Sequence, residues 1–334
     1  MPGSNIAFQV LGTGEYRPGR RVSSEEFDRR WGKNAGWTFE RTGVAERAFA
    51  TEGEDIVAMG AAAARRALES ANIEGTQLDA IIAVGSVPAQ AIPCTAVFLQ
   101  RALSLSGSGI PAFDVNATCL GFLAALDLVA QAIATGRYRR VLIVASELAS
   151  AGLNWDDPST GGLFGDGAAA VVVGAARTAG AALLASHLQS YSEGAEYCQV
   201  RAGGTQLHPR QHPDQFLAGT FFEMSGRPLY RLAAELLPGF LNALLDRAGI
   251  RADDVDVWIP HQASGLAIGH LQAALSIPAE KLVLTLRTHG NQISASLPVA
   301  LHHGIANGRV HSGDVVALIG SGAGVSFGGV ILRY

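Results

Sequence analysis

The chain has 334 residues, 48% of them hydrophobic and only 16% charged, with a net charge of −4; that supports a large buried core, and the length leaves room for two domains. No basic block or Lys/Arg-rich tail is present, which sets aside nucleic acid as a partner. No stretch reaches the roughly 18 apolar residues of a membrane span, and Met1-Pro-Gly-Ser-Asn5 lacks the charged start and apolar core of a secretory signal, so no membrane partner and a cytoplasmic location are expected.

Apolar β-type runs alternate with helical patterns along the whole chain, the mark of an α/β architecture. Asp79-Ala-Ile-Ile-Ala-Val-Gly85 predicts a buried strand, and Pro111–Val115 another. Residues 119–135 predict a helix with Leu123, Leu126, Leu128 and Ile133 among its apolar positions, stopped at Gly136. Arg139-Arg-Val-Leu-Ile-Val-Ala-Ser146 and Ala168-Ala-Ala-Val-Val-Val173 predict further strands. The stretch 193–222 is rich in Gly, Gln, His and Pro, and predicts a long surface excursion where substrate contacts commonly sit.

The second half repeats this order. Val255-Asp-Val-Trp-Ile-Pro260 corresponds to the strand near 80, and a helix at about 292–306 to the one at 119–135. Asp314–Gly320 corresponds to 140–146, and Gly324–Leu332 to 167–173. The spacings between equivalent elements agree to within a few residues, which predicts duplicated halves, 1–178 and 179–334.

Cys119 lies in Asp114-Val-Asn-Ala-Thr-Cys-Leu-Gly-Phe122, where a β-like run breaks into an apolar helix. A thiol at a helix start faces unpaired N–H groups and the positive end of the macrodipole, which favour the nucleophilic thiolate. The Cys119 N–H there can also serve an oxyanion, with a second donor from the small-residue loop Ser321-Gly-Ala-Gly324. His261 follows a strand, and Asn291 sits in Thr288-His-Gly-Asn-Gln-Ile-Ser294. Taken singly, a cysteine in an apolar run is commonly a core residue, a histidine a cap, and His289-Gly-Asn291 a turn. Together, Cys, His and Asn suggest covalent acyl chemistry. Cys94 and Cys198, without Cys-x-x-Cys spacing, read as structural thiols. No metal site is expected: His208 and His212 are spaced as ligands can be, but no third ligand accompanies them.

Several segments occur in register with one family. They are Gly36-Trp-Thr-Phe-Glu-Arg-Thr-Gly-Val-Ala-Glu-Arg47, the Cys119 block, Phe164-Gly-Asp-Gly-Ala168, Pro260-His-Gln-Ala263, His289-Gly-Asn291 and the C-terminal Gly-rich strand. In this order the chain resembles the β-ketoacyl-[acyl carrier protein] synthase III family of the thiolase superfamily over nearly its full length. The resemblance implies a thiolase-like α/β fold, a five-layered αβαβα sandwich, and a homodimer. It implies no cofactor beyond coenzyme A thioesters as substrates: acyl-CoA, then malonyl-CoA or malonyl-acyl carrier protein. Cys119 would be the acylated nucleophile, His261 and Asn291 its partners, and the N–H groups of Cys119 and Ala323 the oxyanion hole. The family usually has Gly at the place of Ala323. Trp37 and Arg41 match positions that hold the adenine end of coenzyme A, and Arg231 a basic residue at the phosphopantetheine entrance. Asp166 would have a turn role.

Departures from the family point to a specialised relative. The usual His-Gln-Ala-Asn-x-Arg becomes His261-Gln-Ala-Ser-Gly-Leu266, which replaces a carrier-docking arginine and leaves Ser264 in place of an amide. Asp157-Pro-Ser-Thr-Gly161 lacks the arginine of the family segment. Ile92 stands where an aromatic residue commonly walls the acyl pocket across the dimer, which suggests a wider pocket; it also lacks the carboxylate of head-to-head condensing relatives. The resemblance, with Asn291 in place of a carboxylate that would repel the developing enolate charge, implies decarboxylative Claisen condensation. A Cys119-dependent acyltransferase to an O or N acceptor, and a non-catalytic dimer partner, are the alternatives.

Overall fold

A computed structural model describes residues 5–334. Two five-stranded sheets form its frame. The first runs, in spatial order, Gln9–Tyr16, Gly167–Gly174, Arg140–Glu147, Ala80–Val84 and Ala112–Val115. Its first two pairings are antiparallel and its last two parallel. The second runs Ile6–Ala7, Ala182–Ser190, Ser326–Arg333, Val315–Gly322 and Val257–Pro260. From Ala182–Ser190 onward it repeats the sequence antiparallel, antiparallel, parallel.

Helices Gly121–Ala134 and Ser296–Ala306 lie between the sheets and touch strands of both. Ile56–Ala71 and Thr95–Ala102 cover the outer face of the first sheet, and Gly226–Ala248 that of the second. The result is five layers with three large apolar cores, one between each adjacent pair of outer and sheet layers and one in the middle, and two smaller clusters around Phe164 and Phe27. Every residue of Ala80–Val84 and Gly167–Gly174 is buried, as strands clothed by helices on both faces require.

The outer helix Ile56–Ala71 shows how sequence sets the packing distance. Asp55 caps it by accepting from the N–H groups of Val57 and Ala58, and Asn72 ends it at φ 52°. Its alanine face meets Gly12 and Gly14; a Cβ added at Gly12 would stand 2.4 Å from the Ala71 nitrogen. Only glycine on the strand lets the two backbones approach so closely.

Two expectations change. Leu128, one of the apolar positions of its helix, is 56% exposed. The region 193–222 is largely exposed but not structureless, since Pro213–Gly219 forms a short helix with proline at its start. Among the described residues no helix is long and apolar enough to cross a membrane.

Candidate active site

The strand Ala112–Val115 runs into the site through a strained turn. Thr118 adopts φ 48°, unusual for a β-branched residue. Its N–H donates to Asn116 Oδ1 at 2.9 Å, and Asn116 Nδ2 donates to the Ser86 carbonyl at 3.2 Å. Cys119 therefore sits in the tight turn Thr118–Leu120, just before the helix that begins at Gly121, rather than within it.

This turn packs against Val315–Gly322 and the Ile293–Ala295 turn. Two glycines on that strand set the spacing. A Cβ at Gly322 would lie 3.2 Å from Thr118 Oγ1 and 3.5 Å from Cys119 Cβ; one at Gly320 would lie 2.7 Å from His261 Cβ. Residues two apart on a strand share a face, so one bare stretch of backbone accommodates Cys119 and His261 side by side. The N–H groups of Ala323 and of Cys119 itself both face the sulfur.

His261 is buried at the end of Val257–Pro260, its N–H donating to the Ile319 carbonyl at 2.7 Å. Its Nδ1 is enclosed with no hydrogen-bond partner, and burial lowers its pKa to about 4. The imidazole is thus neutral near pH 7. Asn291 is held from both sides of its amide: Oδ1 accepts from the Ile293 N–H at 2.9 Å, and Nδ2 donates to the Ala263 carbonyl at 3.3 Å. One Nδ2 hydrogen remains free. Its backbone bridges to the Phe164 segment, where Gly165 N–H donates to the Asn291 carbonyl at 3.1 Å. Ile293, β-branched like Thr118, is also left-handed at φ 51°. Strain therefore sits on both turns that meet here.

Glu147 is the residue the sequence reading missed. It ends an apolar strand, fully enclosed, and accepts from Ser86 N–H and Oγ, both at 2.8 Å, and from Ser294 Oγ at 2.6 Å. It thereby ties the Cys119 side of the site to the Asn291 turn. A carboxylate at the end of such a run was the available signal. Burial pushes its carboxyl above the usual range, against the lowering effect of the serines.

Glu147 also corrects the expected thiolate. Burial first, and Glu147 second, push Cys119 up to about 12, against the pull of the Ala323 and Cys119 N–H groups. The cysteine keeps some accessible surface, but protein surrounds it on most sides. At rest the Cys119 thiol and the His261 imidazole are both neutral. Iodoacetamide labelling of Cys119, read by peptide mass spectrometry, should rise about tenfold per pH unit from pH 6 to 9; a plateau below pH 8.5 would contradict this.

The peripheral residues vary in how far the structure engages them. Arg41 stacks on Trp37 at 4.4 Å, with Lys33 at 5.3 Å, which makes a cationic aromatic patch. Arg231 is exposed on Gly226–Ala248 next to Tyr230, which lines a cleft with His261, Ala263 and Phe327. Ser264 caps the helix Gly265–Leu275, its Oγ accepting from the Ala267 N–H, so its oxygen already has a structural task. Ile92 is 83% exposed and Leu266 75%. Asp166, away from the sulfur, accepts from Ala50 N–H and from Ser150 N–H and Oγ, which braces the Phe164 turn.

Fold and site together define a thiolase-like protein with a cysteine at a strand-to-helix turn. Residues 113–192 match the family described as 3-oxoacyl-[acyl-carrier-protein (ACP)] synthase III, and residues 245–334 its C-terminal part. The chain is 34% identical to the β-ketoacyl-[acyl-carrier-protein] synthase III of Aquifex aeolicus over 98% of this chain and 99% of that one. The crystal structure of the 3-oxoacyl-[acyl-carrier-protein] synthase III from Aquifex aeolicus superposes with a TM-score of 0.89 at 33% identity, covering 98% and 100% of the two chains. A priming β-ketosynthase from the R1128 polyketide biosynthetic pathway superposes with a TM-score of 0.88 at 29% identity, covering 98% and 97%. The chain belongs to the β-ketoacyl-[acyl-carrier-protein] synthase III family, whose members are acyltransferases.

Proposed function

We propose that this chain transfers an acyl group from an acyl-CoA to Cys119 and then joins it to the carbanion of a malonyl thioester, with loss of CO₂. The observation that carries the reading is a cysteine sulfur faced by two backbone N–H donors and packed on the same glycine-bearing strand as His261, two residues along. In the first step the sulfur attacks the thioester carbon as the thiol proton passes to solvent, which leaves His261 neutral with its Nε2–H in place. The oxyanion accepts from the Cys119 and Ala323 N–H groups, the bond from the acyl carbon to the coenzyme A sulfur breaks, and the departing thiolate takes a proton from solvent. In the second step the malonyl C–C bond breaks, releasing CO₂ and leaving an enolate. Its oxygen accepts from His261 Nε2–H and the free Asn291 amide hydrogen. The enolate carbon attacks the acyl carbon; the C–S bond to Cys119 breaks, and the sulfur regains a proton from solvent. No general base is needed for the carbanion, because decarboxylation makes it.

Trp37 and Arg41 would part to admit adenine between them, Arg231 would face the phosphopantetheine arm, and the Ser264 O–H remains free to donate. Exposed Ile92 suits a wall lent to the acyl pocket of a second copy, so the working unit is read as a cytoplasmic homodimer. The halves 1–178 and 179–334 are read as copies of one unit, a view supported by the shared strand order of the two sheets. Ile92 and Leu266, together with the polyketide priming relative, favour specialised lipid or secondary metabolism over ordinary fatty-acid initiation. Malonyl-CoA and malonyl-acyl carrier protein both remain within this reading.

Incubation with acetyl-CoA or octanoyl-CoA, then with ¹⁴C-carboxyl malonyl-CoA or malonyl-carrier, should yield an acyl adduct on Cys119 and labelled CO₂. Octanoyl turnover should at least equal acetyl turnover. An adduct without CO₂ would mean plain acyl transfer, and no adduct would mean a non-catalytic partner. A strong acetyl preference would return the chain to ordinary initiation.

A further inference from the structure

Three side chains that this reaction does not use converge at the edge of the first sheet opposite Ala112–Val115. Glu15 lies on Gln9–Tyr16, His289 ends the short helix Leu286–His289, and His303 lies on Ser296–Ala306. Glu15 offers one oxygen to each imidazole: Oε1 is 3.0 Å from His289 Nε2, and Oε2 is 2.9 Å from His303 Nε2. One donor atom of each residue lies within 4.8 Å of the other two. Tetrahedral zinc, with bonds of about 2.0–2.2 Å, needs donor atoms about 3.3–3.5 Å apart, so small ring shifts bring all three into place.

Arg66 and Arg17 reach this cluster, but they donate to the backbone carbonyls of Glu15 and Thr288 and not to the Glu15 carboxylate. Among the described residues the ion-pair partners of the Glu15 carboxylate are these two histidines, with no lysine or arginine. His289 Nδ1 lies 3.3 Å from the Thr285 carbonyl and 2.9 Å from Thr288 Oγ1. Without an ion the two Nε2–H groups donate to Glu15; zinc would displace those protons, with His289 Nδ1–H donating to the Thr285 carbonyl, the arrangement that metal-bound histidines adopt. His289 is buried, whereas the His303 side chain is 31% exposed, which leaves a way in. Strand and helices hold the three donors in place before any ion arrives.

We propose that Glu15, His289 and His303 form a zinc site, one ion per chain, that ties the Gly290–Asn291 turn to the first sheet. Two imidazoles and a carboxylate are a donor set zinc takes readily. The three positions are too far apart in the chain for ligand spacing to disclose them.

The test is calorimetric titration of the tag-free, EDTA-stripped, full-length chain with Zn²⁺ alone, with melting temperatures measured alongside. The wild type should bind one equivalent with micromolar or tighter affinity and melt higher with zinc. His303→Ala and Glu15→Gln should each weaken binding about 100-fold or more and abolish the zinc-dependent rise in melting temperature, while the double variant H208A/H212A should bind as the wild type does. His303→Ala alters a partly exposed residue and carries the test alone if Glu15→Gln does not fold. Absence of saturable binding near one equivalent, unchanged affinity in His303→Ala, or loss of binding in H208A/H212A would overturn the proposal.

Discussion

Asn291→Asp should retain acylation of Cys119 within about tenfold while CO₂ release from a malonyl thioester falls by about 10³-fold or more. Loss of one donor to a developing oxyanion costs about 10²–10³ in rate. The aspartate adds a negative charge facing the enolate, which raises the barrier further because the charge is felt most in the transition state. Asn291 Oδ1 accepts from the Ile293 N–H, and a carboxylate oxygen can do the same; the Nδ2 donation to the Ala263 carbonyl is lost, so a melting curve accompanies the assay. Asn291→Ala separates the two effects. It removes the donor without adding charge and should fall between wild type and Asn291→Asp. Single-turnover acylation by mass spectrometry and trapped CO₂ read the two steps separately. Equal losses in both steps, or Asp as active as Ala, would show that Asn291 does not face an enolate.

Gly320→Ala should lower kcat/KM for condensation about 100-fold with the fold intact. The added Cβ would stand 2.7 Å from His261 Cβ, an atom too close to the backbone to swing away. The strand or the histidine must yield, and a displacement of about 1 Å in a reacting group costs about 10²-fold. Gly269→Ala is the control: nothing lies within 4 Å of its Cβ position, and it should leave turnover within about twofold. Circular dichroism and a melting curve would show whether the variant is folded. Wild-type turnover in folded Gly320→Ala would mean that His261 has no closely set position.

Much of the architecture was legible before any coordinates. Residues 141–145, 167–174 and 315–320 are apolar throughout because helices cover both faces, and such runs are visible in one dimension. The break at Cys119 and the turn residues Gly290–Asn291 were visible for the same reason, since local backbone demands leave local residue choices. The motifs in family order then located the elements that would have to meet.

What the chain order could not disclose depends on who stands beside whom. The protonation of Cys119 is set by burial and by Glu147, whose serine partners lie 61 and 147 positions away. Leu128 fits a helical apolar pattern yet is exposed, because exposure depends on what packs beside a residue. The closeness of Gly320 to His261 and the convergence of Glu15, His289 and His303 are properties of packed elements. Sequence alone determined which residues could bend, bury or react, because those are properties of a side chain and its neighbours along the backbone. Only the tertiary structure decided charge state and separation, because electrostatic and steric energies depend on distances through space.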